Sequence, residues 1–172
     1  MACKKIYNSP LGKILLVFDE ENLLGLYMES QEEFVKISKN SKIKYYKDNF
    51  PKSKILKESE KWLDLYFSGK DPGFLPALKV QASEFRKDVW DILLKIPYGE
   101  KTTYKEITEI LVKSGKYKNM SAQAVGGAVG HNPILLIIPC HRVMGSDESL
   151  KGYAAGVEVK KKLLEIEGNR EK

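Results

Sequence analysis

The chain has 172 residues, of which 42% are hydrophobic, with a formal charge of +6 and a pI near 9.1. That is enough apolar material for a sizeable core, in one domain or two small ones, and it excludes a largely disordered chain. No apolar stretch reaches the roughly 20 residues that span a bilayer as a helix, which excludes an α-helical membrane protein as well.

At the start, Met1-Ala2-Cys3-Lys4-Lys5 lacks the apolar core of a signal peptide, so a cytosolic location is expected, or a nuclear one in a cell with a nucleus. Three short apolar-rich runs follow: Lys4 to Ser9, Lys13 to Phe18 and Leu23 to Met28. Pro10-Leu11-Gly12 and Asp19-Glu20-Glu21-Asn22 separate them as turn material, which predicts an antiparallel meander. From Lys54 to Phe67, residues Ile55, Leu56, Trp62, Leu63 and Tyr66 recur at helical spacing. The cluster Ser68-Gly69-Lys70-Asp71-Pro72-Gly73 ends that helix and marks the boundary, with the chain to about Val80 as a connector.

The second half reads as mostly helical. Ser83 is placed to cap a helix carrying Phe85, Val89, Trp90, Leu93 and Leu94 on one face, stopped before Pro97-Tyr98-Gly99. Thr103-Tyr104-Lys105-Glu106 has the capping-box pattern, and its helix should run to about Lys113. Ser121 opens another, from Ala122 to Val129, and the last spans Val157 to Ile166 with Val159, Leu163, Leu164 and Ile166 inward. The segments 103–113 and 121–130 resemble a helix-turn-helix with a long turn. The expected fold is α+β. A small antiparallel sheet domain with a helix occupies 1–80, and a mostly helical domain with the helix-turn-helix and the candidate site occupies 81–172. The last few residues are expected to be disordered.

The segment from 121 has a side-chain-poor face of Ala122, Gly126 and Gly127, although each glycine inside a helix costs about 1 kcal/mol relative to alanine. Close helix packing is one reason for such a face. Close approach to a nucleic-acid backbone, with helix N-terminal amides near phosphate, is the other.

Residues Pro139-Cys140-His141-Arg142-Val143 carry the chemistry. They follow an Asn132-Pro133 turn and the apolar run Ile134-Leu135-Leu136-Ile137-Ile138, which should bury Cys140. A buried cysteine is commonly an inert core residue. A histidine beside it, backed by a later carboxylate, would instead hold it as the nucleophilic thiolate. The other cysteine, Cys3, reads as a free thiol without a role, and His131 as a surface turn residue. With two cysteines and two histidines there is no disulfide scaffold, and a four-ligand zinc site would consume every Cys and His. No metal and no cofactor are expected.

The motif Pro139-Cys140-His141-Arg142-Val143 resembles the active-site signature of the O6-alkylguanine-DNA alkyltransferases (methylated-DNA–protein-cysteine methyltransferases). Phe85-Arg86-Lys87-Asp88-Val89-Trp90, Ile96-Pro97-Tyr98-Gly99 and Thr102-Thr103-Tyr104 resemble that family's first helix and the lead-in to its helix-turn-helix. Ala124-Val125-Gly126-Gly127-Ala128 with Asn132-Pro133 resembles its recognition helix and following turn. Gly152-Tyr153-Ala154-Ala155-Gly156 resembles its substrate loop, and Leu163-Leu164-Glu165-Ile166-Glu167-Gly168 its closing helix. Ser9-Pro10-Leu11-Gly12 adds a weaker match.

The resemblance implies irreversible, single-use transfer of an alkyl group from O6-alkylguanine in DNA to Cys140, with O4-alkylthymine left open as a further substrate. The base would be flipped out of the duplex into a pocket beside Cys140. His141 would act as general base through a water, Glu167 would orient it, Asn132 would brace the turn, and Tyr104 would protonate the departing guanine at N3. Backbone groups of Cys140, Val143 and the 153–156 loop (Tyr153, Ala154, Ala155, Gly156) would read the guanine edge, with Tyr153 as a wall. Lys160 matches a family lysine near the site, and Arg142 is a structural anchor more than a catalyst. Ser121, Ala122, Gln123 and Gly126 would meet double-stranded DNA, through the minor groove, with the protein a monomer.

Two positions depart from the family pattern. Gln123 stands where many members place an arginine that fills the space of the flipped base, and Ala154 where a serine is common. Three other readings compete: a non-catalytic lesion-binding helix-turn-helix protein, a helix-turn-helix regulator, and a Cys-His hydrolase. The lesion binders of this scaffold replace the nucleophile, which Cys140 argues against; a regulator would not need the Cys-His-Glu set, and a hydrolase would need an oxyanion hole.

Overall fold

A computed structural model describes residues 1–47, 53–145 and 152–168 of the chain. The expectation of disorder at the last few residues falls on 169–172, outside the described residues. The chain divides into two units. One comprises Met1–Val80 with Pro133–Leu135, and the other Gln81–Asn132 with Leu136 onward.

The first unit is built on strands β1 (Cys3–Ser9), β2 (Gly12–Phe18) and β3 (Leu23–Met28), paired antiparallel as the meander requires. The β1–β2 turn forms because Ser9 Oγ accepts from Leu11 N at 3.1 Å, while Gly12 takes a φ of +106° that a side chain would resist. In the next turn the Asp19 carboxylate accepts from the backbone of Glu21 and Asn22 at 2.8 and 2.6 Å. Helix α1 (Glu32–Ser38) and the two-residue strand β4 (Lys44–Tyr45), parallel to β1, complete a sheet of order β3-β2-β1-β4. Neither element has a fully buried residue, and at seven and two residues both are too short for an apolar period to mark them in the sequence.

Lys4 is buried on β1, and its ammonium donates to the carbonyls of Ile37, Ser38 and Asn40 at 2.8–3.0 Å, closing the C-terminus of α1. Helix α2 (Lys54–Phe67) starts at Ser53, whose hydroxyl accepts from Leu56 N, and packs on β3 through the apolar face read from the sequence. Trp62 and Tyr66 stack at 5.2 Å within it. The outer edge of β3 is not left open. Leu23 exchanges backbone hydrogen bonds with Ala77 and Lys79, and Leu26 with Pro133 and Leu135.

The second unit holds α3 (Glu84–Leu94), β5 (Thr102–Thr103), α4 (Tyr104–Lys113), α5 (Ala122–Gly130), β6 (Val143–Met144) and α6 (Val157–Ile166). Ser83, Thr103 and Ser121 cap their helices as expected, each hydroxyl accepting an amide three residues on. The reciprocal half of the capping box differs: the Glu106 carboxylate accepts from the Thr102 hydroxyl at 2.7 Å. Val89, Trp90, Leu93, Ile107, Leu111, Val125 and Val129 form the core of the α3–α4–α5 group. The Trp90 indole, itself buried, donates to Ala128 O at 2.9 Å, as a buried N–H requires. The α4–α5 turn is tied back to α3. Lys116 bridges Glu84 and Asp88, and the Tyr117 hydroxyl donates to Asp88.

Candidate active site

The apolar run leading to Cys140 is buried throughout, as expected, and it is not an extended strand. Residues 134–138 turn, with Leu136 at a φ of +71°, a left-handed conformation unusual for a leucine. Cys140–Arg142 then form a single 3₁₀ turn, with Cys140 N donating to Ile138 O at 2.8 Å and Arg142 N to Pro139 O at 3.0 Å. Successive side chains of such a turn do not alternate between two faces, so Cys140 and His141 are free of the strand rule that would separate them. The parallel pairing of Val143 and Met144 with Thr102 and Thr103 fixes the end of this turn beside the start of α4.

Asn132 braces the front of the turn. Its amide donates to Ile138 O at 2.7 Å, and its side chain also hydrogen-bonds Cys140. Behind the turn lies Glu167, at the C-terminal end of α6. One carboxylate oxygen pairs with His141 Nε2, and the other accepts from Arg142 Nε at 2.7 Å and from Gly99 N at 3.0 Å. Glycine is needed at 99, where φ is +82° and a Cβ would come 3.3 Å from the Glu167 carbonyl. Arg142 also donates to Ile96 O at 2.7 Å and lies over the Tyr98 ring. Lys160, 1% exposed, donates to Val143 O at 2.6 Å. Tyr153 is buried, and its ring meets that of His141 edge-on at 6.4 Å.

Burial sets the protonation states. It pushes the Cys140 thiol up to about 11, against the opposing pull of Asn132 and the Lys160 charge. The resting residue is therefore a thiol, which corrects the expectation of a histidine-held thiolate: the ionised sulfur has to be made when it is needed. Burial also acts to raise Glu167, but the hydrogen bonds and charges of His141 and Arg142 outweigh it and hold the carboxyl at about 2. His141 is lowered by its own burial despite Glu167. The resting pair is thus a carboxylate accepting from Nε2–H of a neutral imidazole, which makes Nδ1 the basic nitrogen. Lys160 is lowered to about 8 by burial, with Cys140 acting to raise it. Tyr104, half-buried, is raised by burial and by Cys140, so it remains a protonated donor.

A second region of this unit faces outward. Ser121, Ala122, Gln123, Ala124, Gly127 and Gly130 of α5 and its cap are exposed. A Cβ on Gly127 would meet nothing within 4 Å, and one on Gly126 only the Tyr104 ring at 3.9 Å. Close packing is therefore not what the two glycines serve. Tyr104, Lys105, Ala122, Gln123 and Gly126 line an open groove of about 530 Å³. The Tyr104 hydroxyl would lie 3.5 Å from a Cβ on Gly152 in the loop that carries Tyr153, Ala154, Ala155 and Gly156. Of that loop, Tyr153 and Ala155 are buried, Ala154 and Gly156 exposed.

The sequence-derived set therefore separates into two groups. Asn132 hydrogen-bonds Cys140, His141 pairs with Glu167, and Tyr153 meets the His141 ring, whereas Ser121, Ala122 and Gln123 lie on the exposed helix face, with Gly126 and Tyr104 lining the groove. Arg142, Val143 and Lys160 are buried: Arg142 donates to Glu167 and Ile96, as a structural anchor would, and Lys160 donates to the Val143 carbonyl. Sequence reasoning missed Lys105 as a groove residue, although its place one residue past Tyr104 on the first turn of α4 signals it. It also missed the second ion pair of Glu167, with Arg142. His131 is exposed, with Nδ1 2.7 Å from Gly127 O.

Known proteins are similar to this chain in sequence and fold. Residues 84–169 match the family model of the 6-O-methylguanine DNA methyltransferase DNA binding domain, and residues 3–78 that of the 6-O-methylguanine DNA methyltransferase ribonuclease-like domain. A methylated-DNA–protein-cysteine methyltransferase of Methanosarcina barkeri is 42% identical over 164 residues, covering 95% of this chain and 96% of the relative. One of Haemophilus influenzae is 35% identical, covering 94% and 83%. The crystal structure of Mycobacterium tuberculosis O6-methylguanine methyltransferase superposes with a TM-score of 0.79 at 33% identity, covering 100% of this chain and 96% of that one. The Mycobacterium tuberculosis protein in complex with DNA gives 0.78 at 34%, covering 95% and 91%. With both units matched by one family's models and the length shared nearly end to end, the chain belongs to the 6-O-methylguanine DNA methyltransferase family.

Proposed function

We propose that this protein repairs DNA by transferring the alkyl group of O6-alkylguanine to its own Cys140, once per molecule. The observation that carries the reading is a buried thiol beside a neutral histidine locked to an ionised glutamate, in the same unit as an exposed, side-chain-poor helix face. The exposed face of α5 meets the DNA backbone in the minor groove, where amides of a serine-capped helix start and absent side chains permit close approach. The lesion leaves the stack and enters the site between Tyr104 and the 153–156 loop.

The thiol proton passes through a water to His141 Nδ1, and the positive charge that develops on the ring is stabilised by Glu167. The sulfur then attacks the alkyl carbon as the carbon–O6 bond breaks, and the electron pair leaves with the guanine. Tyr104 gives the departing base its proton and regains one from solvent, which matches the proton that His141 later releases. The proton held on His141 restores the balance by exchange with solvent. The product thioether has no hydrolytic route back, so the protein acts as a stoichiometric reagent, each molecule working once as a monomer.

Titration of duplex DNA containing O6-methylguanine tests this reading. Restored guanine should plateau at one equivalent per protein; continued turnover, or binding without any restored guanine, would contradict it.

A further inference from the structure

Tyr153 carries more than a ring. The residue is 8% exposed, and its hydroxyl oxygen is fully enclosed with no hydrogen-bond partner among the described residues. A buried hydroxyl left unpaired costs about 1–3 kcal/mol, and phenylalanine would fill the same space without that cost. The wall function alone therefore does not call for tyrosine. The ring stands edge-on to His141, with an interplanar angle of 81°. Cys140 and Glu167 are the charges that act on the phenol, and with burial, the larger cause, they raise it well above its usual value. At any working pH the group is a protonated donor, near the sulfur that must lose a proton and the ring that must gain one.

We propose that the Tyr153 hydroxyl anchors the water that carries the Cys140 proton to His141, which makes Tyr153 a positioning residue for activation of the nucleophile. An enclosed water is held when it has two to four polar partners. Here the water accepts from the thiol and from the Tyr153 hydroxyl and donates to His141 Nδ1. When the sulfur–hydrogen bond breaks, that proton joins the water, and a proton of the water moves to Nδ1; Tyr153 keeps its own. Without the hydroxyl the water loses its third contact, and with it the alignment between sulfur and imidazole. The titratable and charged groups around this path are Cys140, His141 and Arg142 on the 3₁₀ turn, Lys160 and Glu167 on or at the end of α6, and Tyr104 on α4.

The inference rests on the alkyl-transfer reading, and the test separates the two. The rate of Cys140 alkylation by free O6-benzylguanine is measured from pH 6.5 to 9.5 for the wild-type protein and Tyr153→Phe, with thermal unfolding of both. The expected variant is at least as stable as the wild type and about tenfold slower near pH 7. Its rate then rises with pH, because it depends on direct ionisation of a thiol whose pKa lies near 11, whereas the wild-type profile stays flat once His141 is neutral. The deficit therefore narrows toward pH 9.5. Equal rates, or a slower variant with a parallel pH profile, would overturn the role of the hydroxyl while leaving alkyl transfer intact. Absence of any adduct on the wild-type protein is a different failure, which removes the alkyl-transfer reading and this inference with it.

Discussion

The surroundings of Glu167 and the exposed face of α5 lie in the same unit and follow opposite rules. Around Glu167, polar groups are enclosed and matched: His141, Arg142 and the Gly99 amide each spend a hydrogen bond on one carboxylate. On the exposed face of α5, side chains are sparse, and Gly127 and Gly130 occupy positions where no neighbour demands a glycine. The first region is made rigid so that one proton can move in one direction. The second is stripped so that something outside the protein can come close. Chemistry and recognition are thus separated by burial, and they should respond to different substitutions.

The largest effect is expected from Glu167→Gln, which removes the charge that both His141 and Arg142 are paired with. Leaving a buried guanidinium uncompensated should cost about 3–5 kcal/mol of stability, read by urea unfolding. Alkylation of Cys140 by free O6-benzylguanine should slow by about a hundredfold or more. The same carboxylate governs acid stability. Its folded pKa, about 2, lies below the ordinary 4.5, so its contribution is complete above pH 4.5 and lost as pH falls toward 2. Denaturation midpoints measured across that window should fall for the wild-type protein and change much less for Glu167→Gln.

Substitutions on α5 should leave the chemistry alone. Gln123→Arg adds a charge at the rim of the groove and should speed repair of duplex substrate several-fold without changing the reaction with free O6-benzylguanine. An equal change in both would remove the distinction between the two regions. Gly127→Ala sharpens it further. The added methyl meets nothing in the protein, so stability should rise by about 1 kcal/mol while affinity for duplex DNA falls. A stabilised variant with unchanged affinity would show that the bare face is not the one DNA approaches.

Most of the long elements were legible because each has both a local signal and an apolar period. Strands β2 and β3 carry turn residues at both ends, and α2 to α6 carry caps or a repeating buried face. What stayed hidden depends on distant partners. Lys4 reads as an ordinary surface lysine in the sequence; its burial makes sense only with the carbonyls of Ile37, Ser38 and Asn40 in place. The apolar run before Cys140 announced burial correctly but not shape, since a buried turn and a buried strand share the same composition. Cys140 and His141 were recognisable from their motif. The protonated state of the thiol was not, because it follows from enclosure on every side.

The central claim is that the sulfur of Cys140 receives the alkyl carbon and keeps it. Intact mass and peptide mapping after incubation with O6-benzylguanine test it most directly. One benzyl group should appear, on the peptide containing Cys140, and none on Cys140→Ser. A benzyl group on Cys3, or on no residue of a folded protein, would contradict the account.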